Sequence, residues 1–290
     1  MTRRILDAHA HLWQRAHTPQ PWIDPASMAV IDRDFWVDDL RDRQSRAGID
    51  GAIVVQSSNS TAETLALLAA SGDGGGGGGG DGCIVGVVGW VDLEGDVTEQ
   101  LSALRAAPGG ERLVGIRHLA HQDPDPGWLA RPSVDFAALG DAGLPFDLVI
   151  TPKQFAAASV AVESNPNTRF VLDHLGKPPI ASGDLTRWRS DLAALASHAN
   201  VVAKLSGLTM EARWNDWSLD DLRPVVDTAL DTFGPERLLF GSDWPLVDLA
   251  DGLDRWLHAA DTLLGDLTEP QREAVFAGNT VTTYPGAPHA

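Results

Sequence analysis

Apolar runs of strand length recur eight times along the chain and alternate with eight helix-like segments, and this alternation predicts a (β/α)8, or TIM, barrel of the α/β class. The runs are apolar throughout, as strands of a parallel sheet must be when helices cover both of its faces. With 43% hydrophobic residues, the 290-residue chain can fill one large core. We therefore predict a single domain over residues 1–290, with a doubly wound open sheet as the alternative.

The predicted elements follow one another in the order that such a barrel requires. The eight strands span 4–11, 51–56, 83–91, 113–119, 145–151, 169–175, 201–206 and 237–242. The eight helices that follow them span 37–47, 61–70, 97–106, 134–142, 153–164, 185–198, 219–233 and 249–264.

The first strand ends in a His-x-His pair, and the alternation of side chains along a strand places Asp7, His9 and His11 on one face. Polar residues also lie at the ends of the other predicted strands, where a barrel of this kind carries its active site. In chain order these are Gln56, Trp90, Asp92, Arg117, His118, Asp147, Asp173, His174, Lys204 and Asp243. Their coincidence with strand ends favours a functional site over a set of unrelated caps and loop braces.

The connections between elements fall into two groups. Those that follow strands contain seven of the ten tryptophans, whose flat indole rings suit the apolar face of a sugar or a planar ligand. The run of glycines at 74–80 instead precedes a strand, and it lacks the Lys-Ser/Thr ending of a phosphate-binding loop. We expect this run to be an inert linker on the face opposite the site, so that shortening it leaves turnover intact.

Composition limits the classes of partner. The net charge of -18 argues against nucleic acid and anionic membranes, because both are bound through excess Lys and Arg. No apolar stretch approaches the ~20 residues of a membrane span, and the N-terminus enters the first strand without a signal region. We expect a cytoplasmic enzyme that acts on a small molecule, with homo-oligomerisation left open. Cys83, the single cysteine, is expected to be a buried thiol.

Five motifs occur in an order that resembles the amidohydrolase superfamily, in the branch of sugar lactonases and 2-pyrone-4,6-dicarboxylate hydrolases. They are LDAHAHLW at 6–13, GIRH at 115–118, LDHLGKP at 172–178, KLSG at 204–207 and FGSDWP at 240–245. Each lies at the end of a predicted strand, and the resemblance extends through Gly278-Asn279. It implies a (β/α)8 barrel in which a hydrolytic water is surrounded by His9, His11, His174 and Asp243.

The resemblance also limits the expected metal site. Binuclear members of the superfamily have a bridging lysine or glutamate after strand 4 and a histidine after strand 5, where this chain has Arg117-His118 and Asp147. We expect at most one divalent ion, zinc, bound by His9, His11 and Asp243, with or without His174. Catalysis without a metal is the alternative, because this branch includes enzymes that look able to work without one.

The resemblance implies hydrolysis of a lactone, and the chemistry of these residues suggests a role for each. Asp243 would accept a proton from the attacking water, while His9, His11 and His174 would polarise the carbonyl group. Arg117 and Lys204 are the expected anchors for substrate hydroxyls or a carboxylate. The other expected contributors to the substrate-binding wall are Trp13, Gln56, Trp90, His118, Asp147 and Trp244.

A sugar-derived aldonolactone is the expected substrate, because the mouth is rich in tryptophan and the chain lacks a phosphate-binding loop. Two rival functions stay open. One is a zinc-dependent decarboxylase of an aromatic acid, against which the missing strand-5 histidine argues. The other is a catalytically silent binding barrel, against which the retention of every hydrolytic position argues.

Overall fold

The computed structural model describes residues 3–72 and 82–286, in which eight parallel strands form one sheet in sequential order, β1 to β8. Each strand pairs in parallel with the next one along the chain. Nearly all strand residues are buried, and the strands span Leu6–Ala10, Gly51–Val55, Ile84–Gly89, Leu113–His118, Phe146–Leu148, Phe170–Leu172, Val201–Leu205 and Leu238–Phe240. The predicted barrel order is confirmed.

The sheet closes between β8 and β1, beside the His-x-His pair. Ala10 forms a parallel bridge with Trp244. The backbone N–H of Asp243 donates to the carbonyl of His9 at 2.8 Å, and that of His11 donates to the carbonyl of Trp244 at 2.7 Å. The open-sheet alternative is therefore wrong, and the barrel closes at residues that belong to the predicted site.

Helices follow the strands and cover the sheet. α1 to α8 span Val37–Ala47, Thr61–Ser71, Val97–Ala106, Ala137–Asp141, Phe155–Ser164, Thr186–Ala196, Leu219–Phe233 and Gly252–Leu263, and α9 and α10 span Glu269–Glu273 and Asn279–Thr283. Local caps fix several starts. Ser60 Oγ accepts from the Glu63 N–H at 3.2 Å before α2, and Ser218 forms a reciprocal capping box with Asp221 before α7.

All eight strands are shorter than predicted; the predicted strand 145–151, for example, is confined to Phe146–Leu148. In two of them the reason concerns the site. The predicted strands 169–175 and 237–242 are confined to Phe170–Leu172 and Leu238–Phe240. Beyond them, His174, Leu175 and Asp243 have φ angles of 54°, 51° and 59°, in the left-handed region that cannot continue a strand. The fourth helix is also shorter, Ala137–Asp141 instead of 134–142.

The barrel interior contains its own small apolar cluster, separate from the larger core between the sheet and the helices. It consists of strand residues and one tyrosine from the C-terminal segment: Ala8, Ile53, Val55, Val85, Val88, Val114, Val171, Val202, Leu239 and Tyr284. The Tyr284 hydroxyl donates to the carboxylate of Asp147 at 2.9 Å. The chain after β8 thus contributes to the inside of the barrel as well as to its helical layer.

Three further expectations concern single segments. Cys83 is buried, as predicted. The glycine run at 74–80 lies outside the described residues. Among residues 3–72 and 82–286, no helix is both long enough and apolar enough to cross a membrane.

Candidate active site

Four predicted catalytic residues meet at the end of the barrel where the strands terminate. His9 and His11 come from β1 and the residue after it, while His174 and Asp243 follow β6 and β8. The last two have the left-handed backbone described above, a conformation that side-chain-bearing residues adopt at a cost and that is concentrated at functional sites. All four side chains are buried.

His9, His11 and Asp243 present three ligand atoms to one point. His9 Nε2 lies 3.1 Å from His11 Nε2, and Asp243 Oδ1 lies 3.8 Å and 3.5 Å from these two nitrogens. Ligands about 2.0–2.2 Å from a tetrahedral zinc are separated by roughly 3.4 Å, so the triangle has a suitable size. Asp243 Oδ1 is buried and has no hydrogen-bond partner among the described residues, as expected of an atom that ligates an ion.

The tautomer of His11 also fits a metal ligand. Its Nδ1 lies 2.7 Å from the carbonyl oxygen of Val55, to which only a protonated Nδ1 can donate. The Nε2 atom of the neutral ring then carries a lone pair that faces His9 and Asp243. The residues present therefore fit a single divalent cation. A second group of side chains, His9, Asp173 and His174, could also hold an ion, but it shares His9 with the first.

His174 is fixed by residues that follow β7. Its Nδ1 lies 2.9 Å from Ser206 Oγ. Gly207, the next residue, has a φ angle of 62°, and a β-carbon there would lie 2.5 Å from His174 Nδ1 and 3.0 Å from Asp243 Oδ2. A glycine is required at this position because the His174 ring and the Asp243 carboxylate both approach its backbone.

A network of buried charges lies directly behind the histidines. Arg117 Nη1 donates to Asp173 Oδ2 at 3.0 Å, and the Lys204 ammonium donates to Asp147 Oδ2 at 2.5 Å. Lys204 Nζ also lies 3.0 Å from Asp173 Oδ1 and from His9 Nδ1. Two cations and two carboxylates thus neutralise one another, as buried charges must.

Burial dominates the protonation of the histidines. It lowers the pKa of His9 well below its ordinary value and also lowers the pKa of His174, so both rings are neutral at neutral pH. Burial alone would raise the pKa of Asp243, but the neighbouring imidazoles of His174, His11 and His9 favour its ionised form and hold the pKa below the ordinary value. Asp243 is therefore a carboxylate among neutral imidazoles.

Asp7 on β1 forms hydrogen bonds that connect β1 to the segment after β8. Its carboxylate accepts from the N–H of Ser242 at 2.8 Å, from Ser242 Oγ at 2.5 Å and from the N–H of His9 at 3.0 Å. Burial raises the pKa of Asp7 to about 6. This carboxyl group ties the backbone before Asp243 to the backbone of the His-x-His pair.

A cavity of about 360 Å³ opens onto the site. The predicted residues that line it are His11, Arg117, His174 and Asp243. One part of its wall is apolar and the other is polar. The apolar lining consists of Trp22, Met28, Leu119, Val149, Met210, Trp214, Leu246 and Leu249, and the polar lining adds Ser57, His121, Gln122, Lys177 and Glu211.

The other predicted binding residues are not among those that line this cavity. Lys204 and Asp147 are fully buried in the charge network, and Gln56, also fully buried, donates to the carbonyl of Arg117 at 3.0 Å. Trp90 donates to His118 Nδ1 at 3.1 Å, and the His118 ring stacks on Trp128 at 4.0 Å. The rings of Trp13 and Trp244 pack on Phe35 with centroids 5.5 Å and 5.2 Å away.

Several residues of the site were missed in the sequence. Asp173 was noted only as a polar strand end, although it directly precedes His174. Lys177 and Glu211 form an ion pair at 2.9 Å on the cavity wall, and His121 lies nearby with a pKa lowered to about 3 by burial. His121 and Glu211 belong to loops without periodicity, so no pattern distinguishes them from solvent-facing residues. Lys177 lies within the LDHLGKP motif, which is the signal that could have identified it.

Comparison with known proteins identifies related chains. A family model described as amidohydrolase matches residues 6–286. An L-fucono-1,5-lactonase from Burkholderia ambifaria is 35% identical over 291 residues, which cover 98% of this chain and 96% of that protein. A crystal structure of an amidohydrolase from Burkholderia multivorans with bound zinc has a TM-score of 0.88 and 31% identity, covering 97% of this chain and 100% of that chain.

A more distant structure is similar in fold alone. The 5-carboxyvanillate decarboxylase from Sphingomonas paucimobilis has a TM-score of 0.64 at 13% identity, with 98% of this chain and 99% of that chain covered. The resemblance to sugar lactonases noted in the sequence is thus confirmed, while the decarboxylase is related at the level of architecture. From the extent of the family match and the identity to full-length relatives, we conclude that the chain belongs to the amidohydrolase family.

Proposed function

We propose that this protein is a hydrolase that opens the ring of a small sugar-derived lactone. The observation that carries the proposal is an ionised carboxylate, Asp243, that lines a cavity beside the imidazoles of His9, His11 and His174. This is the arrangement that ester hydrolysis needs, namely a proton acceptor for water beside groups that polarise a carbonyl. The identity to an L-fucono-1,5-lactonase over nearly the whole chain supports the same reaction.

In the proposed reaction, Asp243 accepts a proton from water as the water oxygen attacks the lactone carbonyl carbon. The carbonyl oxygen gains negative charge, which the neighbouring Arg117 stabilises from the cavity wall. Collapse of the tetrahedral species breaks the ring C–O bond, and Asp243 returns the proton to the leaving alkoxide. A divalent cation held by His9, His11 and Asp243 would supply further polarisation of the carbonyl.

The charges on the cavity wall favour a substrate without a carboxylate. Two cationic side chains, Arg117 and Lys177, line the cavity, and each is already paired, the first with Asp173 and the second with Glu211. A carboxylate-bearing substrate would have to displace one of these anions. Hydroxyl groups can instead hydrogen-bond to both members of an ion pair, and the indole rings of Trp22 and Trp214 offer apolar contact. An aldonolactone meets these requirements.

The predicted residues outside the cavity lining are assigned supporting roles in this proposal. Gln56, Asp147 and Lys204 hold Arg117 and His9 from behind, and the rings of Trp13, Trp90, His118 and Trp244 hold the surrounding loops. A cytoplasmic location and a homo-oligomeric state stay predictions.

The test is a panel of aldonolactones, pyrone carboxylates and aromatic acids, with proton release followed by a pH indicator and carbon dioxide measured in parallel. We expect proton release from neutral aldonolactones that disappears in Asp243→Asn. Carbon dioxide from an aromatic acid, with no lactone opened, would replace the proposal by decarboxylation. Inactivity towards every compound would favour a binding barrel. Two tightly bound zinc ions per chain by elemental analysis would contradict a single-metal site.

A further inference from the structure

His9 lies between two sets of partners, and each set requires the ring proton on a different nitrogen. The first set is Lys204, whose ammonium lies 3.0 Å from Nδ1, and His11, whose Nε2 lies 3.1 Å from Nε2. The second set is Asp173, whose Oδ1 lies 3.3 Å from Nδ1, and Arg117, whose Nη1 lies 3.3 Å from Nε2. His174 contacts the ring edge-on, with centroids 4.6 Å apart, and Asp243 Oδ1 lies 3.8 Å from Nε2.

The first set requires the proton on Nε2. An ammonium has donors and no acceptor, so Lys204 can hydrogen-bond to Nδ1 only when that atom carries a lone pair. The opposite nitrogen then donates to His11 Nε2, which is an acceptor because His11 Nδ1 donates to Val55. Donors and acceptors alternate without conflict from Lys204 through both imidazoles to the Val55 carbonyl. The contacts of His9 in this first set, 3.0 Å and 3.1 Å, are also shorter than the two contacts of 3.3 Å in the second set.

The second set requires the proton on Nδ1, and one of its atoms has no hydrogen bond. Asp173 Oδ1 is buried and accepts no hydrogen bond among the described residues, although Lys204 Nζ forms an ion pair with it at 3.0 Å. A protonated Nδ1 of His9 would satisfy this oxygen. It would also free His9 Nε2 to join His11 Nε2 and Asp243 Oδ1 as ligands, with a carboxylate behind the ligating histidine.

We propose that Lys204 is a positioning residue that holds His9 in the tautomer protonated at Nε2, and that a divalent cation bound by His9, His11 and Asp243 shifts the ring to the tautomer protonated at Nδ1. One proton leaves Nε2 to solvent and one is taken up at Nδ1, so the ring stays neutral. Asp173 accepts the new hydrogen bond. Lys204 therefore opposes cation binding, since its hydrogen bond to His9 must be broken first.

The tautomer is measured directly by nitrogen-15 NMR of the imidazoles in chelator-treated full-length protein. The His9 signals are identified by their absence in His9→Asn. We expect protonated Nε2 in the metal-free protein and protonated Nδ1 after addition of zinc. Protonated Nδ1 without metal, or no change of tautomer on zinc saturation, would overturn the proposal whatever the variants do.

A charge-balanced double variant, Lys204→Met with Asp147→Asn, tests the role of Lys204. It removes one buried cation together with its carboxylate partner, so folding does not leave an unpaired charge. We expect His9 to be protonated at Nδ1 even without metal and zinc to bind about tenfold more tightly, because a hydrogen bond from a charged donor no longer stabilises the metal-free state. A purely structural Lys204 predicts the reverse, weaker zinc binding that follows a fall in Tm, and that result would overturn the proposal.

The matched control is Lys177→Met with Glu211→Gln. Like the test variant, this double substitution removes one cation and one anion. Lys177 and Glu211 line the cavity, but neither residue contacts His9. The control should leave the His9 tautomer and zinc affinity unchanged. An equal tightening of zinc binding in the control would assign the effect to general electrostatics and contradict a specific role for Lys204.

Discussion

Two parts of the same barrel differ sharply in composition. The strands β2 and β3, with sequences GAIVV and IVGVVG, contain no ionisable side chain. The other six strands, or the one to three residues after them, contribute Asp7, His9, Arg117, Asp147, Asp173, Lys204 and Asp243, all of them buried. One quarter of the barrel strands therefore carries no ionisable side chain, while the rest carries desolvated charges.

This difference in composition indicates that the apolar strands contribute chiefly to stability and the charged strands chiefly to function. Buried apolar side chains in β2 and β3 lower the free energy of the folded state without a pairing requirement. Buried ion pairs contribute little net stability, because the desolvation of the charges cancels most of their attraction. Their presence in six strands is explained by the position and protonation of the histidines and Asp243. Substitutions in the two parts should therefore affect different measurements.

The largest effect is expected at Asp243. Asp243→Asn keeps the size of the side chain but removes the proton acceptor, so kcat should fall by about 10² to 10⁴. The measurement is kcat for an aldonolactone, together with Tm and bound zinc.

The same variant separates the possible roles of Asp243. If it only braces β8, Tm falls while kcat per folded molecule is nearly unchanged. If it acts chiefly as a metal ligand, activity follows the zinc content and is partly restored by added zinc. A folded, zinc-replete variant with normal turnover would contradict the proposed mechanism.

A smaller effect, on stability, is expected at Asp7. Its pKa is raised to about 6 in the folded protein, so the folded state binds more protons than the unfolded state between about pH 4 and 6. This contribution to the unfolding free energy is present below the unfolded pKa and is lost as the pH rises through 6. As the pH rises from 4 to 7, the unfolding free energy of Asp7→Asn should therefore rise by about 3 kcal/mol relative to that of the wild type.

Urea unfolding of both proteins across that range provides the measurement. If the unfolding free energies of wild type and Asp7→Asn change in parallel with pH, the desolvation of Asp7 does not lower the stability of the folded protein.

The smallest effect is expected in the apolar strands. Ile53 on β2 is fully buried in the interior cluster, and Ile53→Val removes one methylene group. The unfolding free energy should fall by about 0.5–1.5 kcal/mol, while kcat per folded molecule stays at the wild-type value. A substantial loss of kcat at unchanged stability would show that β2 also positions the catalytic groups, and the contrast between the two parts would fail.

The sequence predicted the barrel well because its strands and helices are strongly patterned. α1, α3 and α7 have the predicted bounds. The candidate catalytic residues lie in a strand or after one as expected, His9 in β1 and His11, His174 and Asp243 beyond strand ends. The ends of β5 and β6 were misjudged because buried apolar residues such as Ile150 and Leu175 continue the pattern beyond the last strand residue. Hydrophobicity reports burial, and these residues are buried without being strand residues.

The site was harder to predict where charges pair with one another. Lys204 and Asp147 were expected on the substrate wall, since strand-end polar residues usually face the ligand. Their mutual ion pair buries both, and a pairing between residues that are distant in the chain leaves no local pattern. Loop residues such as His121 and Glu211 are similarly brought to the cavity by the tertiary fold.

Because the candidate site lies at the seam between β1 and β8, it can form only after the last strand has been synthesised. A backbone hydrogen bond joins His9 and Asp243 across this seam, yet most of the chain must be translated between them. An emerging chain that ends before β8 can pair its early strands but lacks the carboxylate that completes the site, and closure must bring together its most distant segments. Hydrolytic activity during refolding would therefore report the last long-range contact to form, and a chain with measurable turnover would be one whose barrel has already closed.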